Sequence, residues 1–271
     1  MELAVLSWNL FHGRDFPPDP DLLTWRSRLL RRSERNATHI QVNRDLGREF
    51  AGVLADAEWD VALLQECPPR FCGLLSRACD AEPHRVLTSR NSFGRLRGLA
   101  ARLNPDLIAS GEGGSNLTLV RRAGPAGSIV ERREAVIHAG PSERRAMAFT
   151  RTGSGLCIAN LHASAHLPEL AADDVLRAAE RATGWAGDAP LVFGGDLNLR
   201  PSRTPSLFEE LERRFGISGV TEPDAIDHLL RRDLAAARPP RRWAPERREV
   251  RLGGLALRLS DHAPVEARFA T

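Results

Sequence analysis

The sequence predicts a mixed α/β fold with much antiparallel sheet. Short apolar runs of strand length each end in polar residues, three segments space their apolar residues as helices do, and the order runs strand, helix, strands, helix, strand, helix, strands. Leu3-Ala4-Val5-Leu6 forms the first strand and Val61-Ala62-Leu63-Leu64 the second. Between them Leu46, Phe50, Val53, Leu54 and Ala57 share one helical face, with Asn43 as the expected cap. Leu156-Cys157-Ile158-Ala159 and Leu191-Val192-Phe193 are two further buried strands. Pro168 opens a helix that turns Leu170, Val175, Ala178, Ala182 and Trp185 inward and ends at Gly187. A third helix runs from Thr204 through Leu207, Phe208, Leu211 and Phe215 to Gly216, and Pro264 to Phe269 alternates as a final strand.

Composition bounds the function classes. The 271 residues, 42% hydrophobic and 27% charged, are those of a globular chain, and no apolar run reaches the ~20 residues of a membrane helix. All 38 basic residues are arginine, and there is no tyrosine. Genome bias or heat adaptation explains such a choice simply; a phosphate-binding surface is the sharper reading, because the guanidinium fork pairs two phosphate oxygens. A formal charge of +3 does not separate the two. Cys67, Cys72, Cys79 and Cys157 contain no CxxC pair, which argues against a zinc knuckle or redox dithiol. Met1 to Trp8 leads straight into a strand, so no secretory leader is expected, and a cytoplasmic setting and a monomer are the defaults.

Two segments read as insertions. Residues 14–42 carry Pro17, Pro18, Pro20 and a basic stretch from Arg26 to Arg35. Residues 231–251 hold eight arginines against Asp233, Glu246 and Glu249, and read as a loop between two polar motifs.

Those motifs stand at the strand ends: Trp8-Asn9, Gln65-Glu66, Asn160-Leu161-His162, Gly195-Asp196-Leu197-Asn198, Ile226-Asp227-His228 and Ser260-Asp261-His262. Together they supply carboxylates, amides and imidazoles with no serine or cysteine in a nucleophile elbow. Oxygen-rich sets without thiolates suit hard cations such as Mg²⁺ or Mn²⁺, and imidazole beside aspartate suits proton handling or phosphate binding. His162 and His166 have HxxxH spacing, but the pair starts at a strand end with Pro168 following, against zinc on a helix. His12 fits a turn or a substrate contact equally. Asn116, after Gly113-Gly114, is either a polar strand start or a residue facing the site.

In this order Ser7-Trp8-Asn9, Leu64-Gln65-Glu66, Asn160-Leu161-His162, Gly195-Asp196-Leu197-Asn198, Ile226-Asp227 and Ser260-Asp261-His262-Ala263-Pro264-Val265 resemble the endonuclease/exonuclease/phosphatase superfamily of pancreatic deoxyribonuclease and the abasic-site endonucleases. The likeness runs from residue 7 to residue 265 and implies one domain over 1–271, with 14–42 and 231–251 as insertions. The fold it implies is a four-layer α/β/β/α sandwich of two mixed, mostly antiparallel sheets. It implies a metal-dependent phosphohydrolase in which Glu66, Asn9 and Asp261 hold Mg²⁺ or Mn²⁺. Asp196 would activate water, Asn198 would hold phosphate oxygens, and His262 would contact the phosphate with Asp227 fixing its tautomer. His162 would donate to a phosphate oxygen or assist the leaving group.

The branch is less sharply marked. The abasic-site branch carries a tyrosine that this chain lacks, and Pro223-Asp224-Ala225-Ile226-Asp227-His228-Leu229-Leu230 matches the phosphoinositide motif only faintly. Asn160-Leu161-His162-Ala163-Ser164 resembles the DNase-like and general bacterial branch, which makes a nuclease acting on DNA or RNA the favoured reading; Arg241 and Arg242 are either phosphate clamps with Trp243 stacking on a base, or part of a solvated loop with Trp243 tucked against the sheet. A small-molecule or lipid phosphate is the alternative.

Overall fold

The apolar runs become the central strands of two packed sheets. The computed structural model describes residues 2–88, 94–107, 113–140, 144–165 and 167–270. The strands are β1 (Glu2–Asn9), β2 (Glu34–Arg35), β3 (Ile40–Gln41), β4 (Val61–Gln65), β5 (Ala81–Leu87), β6 (Ser115–Arg121), β7 (Ile129–Ala139) and β8 (Arg144–Thr152). They continue as β9 (Cys157–His162), β10 (Leu191–Asp196), β11 (Asp227–Arg232), β12 (Ala235–Arg242), β13 (Glu249–Leu252), β14 (Leu255–Arg258) and β15 (Val265–Ala270). The helices are α1 (Trp25–Leu30), α2 (Gly47–Asp56), α3 (Cys72–Ala78), α4 (Gly94–Leu103), α5 (Pro168–Ala186) and α6 (Pro205–Phe215).

One sheet has the order β12-β15-β1-β4-β6-β5 and the other β11-β10-β9-β8-β7. Only β1 with β4 and β9 with β10 run parallel within them. Alternation along each strand sorts the side chains into layers. Leu6, Trp8 and Leu64 face outward onto Phe50 and Leu54 of α2 and Leu75 of α3. Phe149, Leu161 and Phe193 face outward onto Val175 and Ala182 of α5 and Leu211 of α6. Leu3, Val5, Leu63, Ile158, Val192 and Leu229 fill the seam between the sheets. Each such side chain contributes about 1.5–3 kcal/mol on burial. The result is the α/β/β/α sandwich that the motifs implied.

The seam changes character along its length. Past Val5, Leu63 and Ile158 the same inward positions become Ser7, Gln65 and Asn160, all fully buried. Gln65 Nε2 donates across the seam to Asn160 Oδ1 at 2.8 Å and along its own strand to Leu63 O at 3.0 Å. An unpaired buried amide would cost about 1–3 kcal/mol, so these pairings fix the register of the two sheets as well as joining them.

Two sequence expectations are corrected here. Asn43 does not cap α2: its Nδ2 donates to Ser27 O, Arg28 O and Asn104 Oδ1, while Asp45 Oδ1 takes the N–H of Gly47 at the helix start. Residues 231–251 are not a loop. They end β11, form the edge strand β12 along β15, and start the β13–β14 hairpin. Pro239 and Pro240 are tolerated because β12 is an edge strand with register shifts.

Asp15 closes the ends of residues 14–42 onto each other. Its Oδ2 accepts the Val42 N–H at 3.0 Å, while Oδ1 is buried without a partner among the described residues. Burial, only partly offset by that hydrogen bond, raises the Asp15 carboxyl from 3.8 to about 8. Below pH 4 folded and unfolded states both hold the proton; between there and about pH 8 only the folded state does. The stability contributed by this raised group is therefore fully present at acid pH and lost as pH rises through about 8. Asp15→Asn, which keeps an acceptor for Val42, is expected to gain on the parent from pH 5 to 8, by as much as a few kcal/mol. Denaturant unfolding at both pH values measures the gain, and equal gains at both would contradict the assignment.

Candidate active site

The parallel strand pairs bring their C-terminal ends to one edge of the seam. In register, Asp196 of β10 stands between His162 of β9 and Asp227 of β11, and Asn9 of β1 stands beside Gln65 of β4 in the facing sheet. The sheets meet at Asp196, where Asn9 Nδ2 donates to Asp196 Oδ2 at 2.9 Å. His162 Nε2 lies 3.4 Å and His262 Nε2 3.8 Å from the same oxygen. The residue before Asp196 must be glycine: at φ +130°, a Cβ on Gly195 would sit 1.9 Å from the Leu161 carbonyl oxygen of neighbouring β9.

The environment divides the ionisable groups. Asp196 is raised by burial and by neighbouring Asp227, against the opposing pull of His262 and the Asn9 hydrogen bond. Burial lowers His262, but the carboxylates of Asp227 and Asp196 outweigh it and hold the ring protonated well above the ordinary imidazole range. His262 Nδ1 donates to Asp227 Oδ2 at 2.8 Å, which aims Nε2–H toward Asp196. His162 goes the other way: burial, with Arg145 and the other two imidazoles nearby, lowers it well below 6.5 and keeps it neutral. One imidazolium and one neutral imidazole therefore flank a carboxyl shifted toward neutral pH, a set suited to accepting a proton while binding an anion.

The turn carrying His262 is fastened on all sides. Ser260, at φ +60°, donates from Oγ to Asn9 O at 2.6 Å, and its Oγ accepts the His262 N–H at 3.0 Å. Trp8 Nε1 donates to His262 O at 3.0 Å. Arg248, itself buried, directs Nη1 to the carbonyl oxygens of Leu259, Ser260 and His262 at 3.2, 2.6 and 2.8 Å. Sequence reasoning missed this role, since nothing distinguishes Arg248 from the seven other arginines of 231–251.

Glu66 and Asp261 form a second, more open group. Glu66 sits at φ +45° at the end of β4, its carboxylate 3.3 Å from His12 Nε2 and 4.0 Å from His162 Nε2. Burial and the charge of Glu66 raise the Asp261 carboxyl. The two carboxylates, both oxygen donors, fit a hard divalent cation. Asn9 Oδ1 already accepts the Phe11 N–H at 2.9 Å, which leaves one lone pair. Asp196, Asp227 and His262 also bring one ligand atom each within 4.8 Å of one another. That trio is the poorer metal site, because His262 is protonated and its Nδ1 is occupied by Asp227.

Asn198, at φ +55°, donates from Nδ2 to Ala163 O at 3.0 Å and from its backbone to Asp196 Oδ1 at 3.2 Å, with one amide hydrogen left over. Four expected substrate contacts are not brought to this site. Asn116 is fully buried in the seam and donates to Ala146 O at 2.8 Å. Trp243 packs on Trp8 with ring centroids 6.4 Å apart and donates to Glu266 at 2.6 Å, so its face cannot stack on a base. Arg241 pairs with Glu266 at 2.8 Å, and Arg242 donates from Nε to Glu222 at 2.9 Å. The groove that Arg238 and Arg241 line reaches Ala4, toward the opposite end of β1 from Asn9. His166 lies outside the described residues.

No family model matches the chain, and no curated protein matches it. Solved structures match over nearly its whole length. An endonuclease/exonuclease/phosphatase family protein from Bacteroides thetaiotaomicron has TM-score 0.62 at 13% identity, covering 99% of this chain and 97% of that one. A mannosyl-6-phosphatase from the same species has TM-score 0.63 at 14% identity, covering 99% and 100%. A truncated TDP2 from Caenorhabditis elegans has TM-score 0.58 at 14% identity, covering 100% and 98%. The likeness is one of fold: the chain has the DNase I-like fold of the endonuclease/exonuclease/phosphatase superfamily.

Two outcomes follow. Imidazole NMR is expected to find His262 still protonated at neutral pH and His162 unprotonated, with Asp227→Asn moving the His262 titration down; an unmoved titration would remove Asp227 as the cause. Arg248→Ala takes the side-chain donor from the Leu259 and Ser260 carbonyls, while His262 O keeps Trp8 Nε1, and is expected to cost about 2 kcal/mol in denaturant unfolding.

Proposed function

We propose that this chain is a divalent-metal-assisted phosphohydrolase that cleaves phosphate esters, phosphodiesters foremost, by attack of water. The observation that carries the reading is the buried carboxyl of Asp196 in the seam, facing an imidazolium donor on one side and the open Glu66–Asp261 pair on the other. A phosphodiester resists nucleophiles because its oxygens are anionic, so charge neutralisation at phosphorus is the main requirement. His262 donates from Nε2 to a phosphate oxygen and stabilises the charge that develops there. Asp227 holds that ring in the donating tautomer and keeps it protonated. Asp196 accepts the proton of the attacking water, with Asn9 fixing the carboxyl orientation. Asn198 directs its remaining amide hydrogen to a phosphate oxygen. His162 donates as a neutral ring to the phosphate or to the departing oxygen.

Glu66 and Asp261, with the remaining lone pair of Asn9 Oδ1, would hold Mg²⁺ or Mn²⁺. That ion would supply charge neutralisation at the phosphate and lower the cost of the leaving group's negative charge.

Arg241, Arg242 and Trp243, the expected nucleic-acid contacts, are engaged elsewhere. The reading is therefore stated for the bond and not for a polymer. Small or lipid phosphate esters gain support from a cavity of about 240 Å³ beside the site, lined by Phe11, Phe16, Arg14 and Arg28. It suits a compact, partly apolar leaving group.

Purified protein is expected to hydrolyse bis-p-nitrophenyl phosphate with Mg²⁺ or Mn²⁺, to stop with chelator, and to recover on adding metal back. His262→Ala is expected to lose ~10²–10³ in kcat, and Asp196→Asn at least as much, with circular dichroism unchanged. An active Asp196→Asn protein would remove Asp196 as the base. In the parent, activity rises as Asp196 loses its proton and falls as His262 loses its own. Asp227→Asn withdraws the charge that raises His262, so the alkaline limb of the pH–kcat profile should move to lower pH. Plasmid, RNA, sugar phosphates and short-chain phospholipids compared under one metal condition separate the substrate classes.

A further inference from the structure

Large apolar side chains are exposed together on the two helices whose ends adjoin. On α4, Leu96, Leu99 and Leu103 recur at helical spacing, and all three face solvent, with Leu96 68% exposed. The buried positions of α4 fall instead on small residues, Gly98 and Ala101. On α1, Trp25 is 62% exposed and Leu29 and Leu30 are exposed beside it. The helices adjoin through Asn104, just past α4, whose Nδ2 donates to Arg28 O of α1 at 2.9 Å. An amphipathic helix ordinarily turns its leucine stripe inward, so these two are inverted with respect to the fold.

Among the described residues, the charge on the two helices themselves is positive. Arg26, Arg28, Arg31 and Arg32 are exposed on and after α1, Arg102 is exposed on α4, and neither helix contains an acid. Among the described residues the acids around them are Asp19 and Asp21 before α1, Glu34, which accepts from Thr24 Oγ1 at 2.7 Å, and Asp106, which accepts from Gln41 Nε2 at 3.0 Å and also faces the charge of Arg28. Apolar residues interleaved with an excess of arginines restrict the partner. A second copy related by two-fold symmetry would set arginine against arginine. A nucleic-acid backbone would satisfy the arginines and leave the leucines wet.

We propose that α1 and α4 form a peripheral docking surface for anionic lipid bilayers. Trp25 and the leucines enter the boundary between headgroups and acyl chains, and the arginines pair with lipid phosphates. This is binding in the plane of the interface. Among the described residues no helix is long and apolar enough to cross a membrane. The surface also borders the site: Arg28, Thr24 and Ser27 of this region share the 240 Å³ cavity with Phe11, which follows Asn9 in the chain by two residues. The docking surface stands on its own, whatever ester the site hydrolyses.

Sedimentation of the full chain with vesicles tests it, using phosphatidylcholine alone against vesicles one third phosphatidylglycerol. Binding to the anionic vesicles is expected, falling with added salt, together with a blue shift of fluorescence from Trp25. Trp8, Trp59 and Trp243 are already buried and should contribute little to that shift. Each exposed arginine removed should weaken binding about five-fold, so Arg26→Gln/Arg31→Gln/Arg32→Gln should lose about 100-fold. Leu96→Ser/Leu99→Ser and Trp25→Ser/Leu29→Ser should release the protein from vesicles while leaving bis-p-nitrophenyl phosphate turnover and thermal unfolding unchanged. No binding to anionic vesicles would overturn the proposal, as would binding that both apolar double variants retain. A concentration-dependent dimer abolished by Leu96→Ser/Leu99→Ser would overturn it in favour of self-association.

Discussion

The hydrogen bond from Asn9 to Asp196 is the contact on which the rest of the site depends. It is the point where β1 of one sheet touches β10 of the other at the polar end of the seam. Just before Asp196, Gly195 can carry no side chain: a Cβ would meet the Leu161 carbonyl of neighbouring β9 at 1.9 Å and Gln65 Nε2 of the facing sheet at 3.1 Å. Deeper in the seam the approach of the sheets is maintained by Leu3, Val5, Ile158 and Val192, and nearer the site by the Gln65–Asn160 amide pair. The apolar part supplies most of the free energy and the amide pair supplies the alignment. A slip of one residue in either central strand would turn Asn9 or Asp196 outward into a helix layer. The chemistry of the site and the packing of the core are thus two ends of one constraint.

The same convergence explains why two similar histidines differ in charge. His162 comes from the sheet itself; its Nε2 sees Asp196 at 3.4 Å, but the cationic ring of His262 and Arg145 are also near. His262 comes from a separate turn and takes Asp227 at 2.8 Å as a dedicated partner. Burial disfavours the charged form of both, and only His262 has counter-charge enough to overcome it. Asp196 is pushed toward neutrality because the register places it between two neighbours, with Asp227 on the edge strand beside it.

Strand positions were legible because a buried strand must be apolar, and the polar residues that end four of them were legible because parallel strands deliver their C-terminal ends to one edge. Asn9, Glu66, His162 and Asp196 follow from that rule alone. The face on which a side chain lies was harder to read. Arg241, Trp243 and Glu266 lie on the helix side of the sheet, and sequence proximity to Asp227 and Asp261 carries no information about that. Strand β12 was missed because Ala235-Ala236-Ala237-Arg238 and its prolines lack alternation. It forms because β15 offers a free edge. Arg248 was hidden among like residues, and only its burial marks it as the support of the Ser260–His262 turn. Of the eight arginines gathered in 231–251, Arg248 holds the Ser260–His262 turn, and Arg242 and Arg241 tie the edge strand to Glu222 and Glu266.

The backbone around the site shows what this arrangement costs. Phe11, His12, Glu66, Asn198 and Ser260 all adopt left-handed φ, between +45° and +60°, and each lies in the turn next to a site residue or is one. Such a conformation costs a side-chain-bearing residue about 1–2 kcal/mol, and glycine would relieve it. Glycine at Glu66 or Asn198 would also remove the carboxylate or amide that the turn displays. The chain instead clamps these turns from outside. Cys67 and Ser115 exchange backbone hydrogen bonds at 3.0 Å immediately after Glu66, Ser115 Oγ adds a third at 2.7 Å, and Ser260 is tied to both Arg14 and Asn9. Left-handed turns let a strand end abruptly with its next side chain still over the seam, which a relaxed extended exit would carry away. Strain at the strand ends and hydrogen bonds just beyond them are therefore one device, and it explains why the open carboxylates stand beside Asp196 without being part of either sheet.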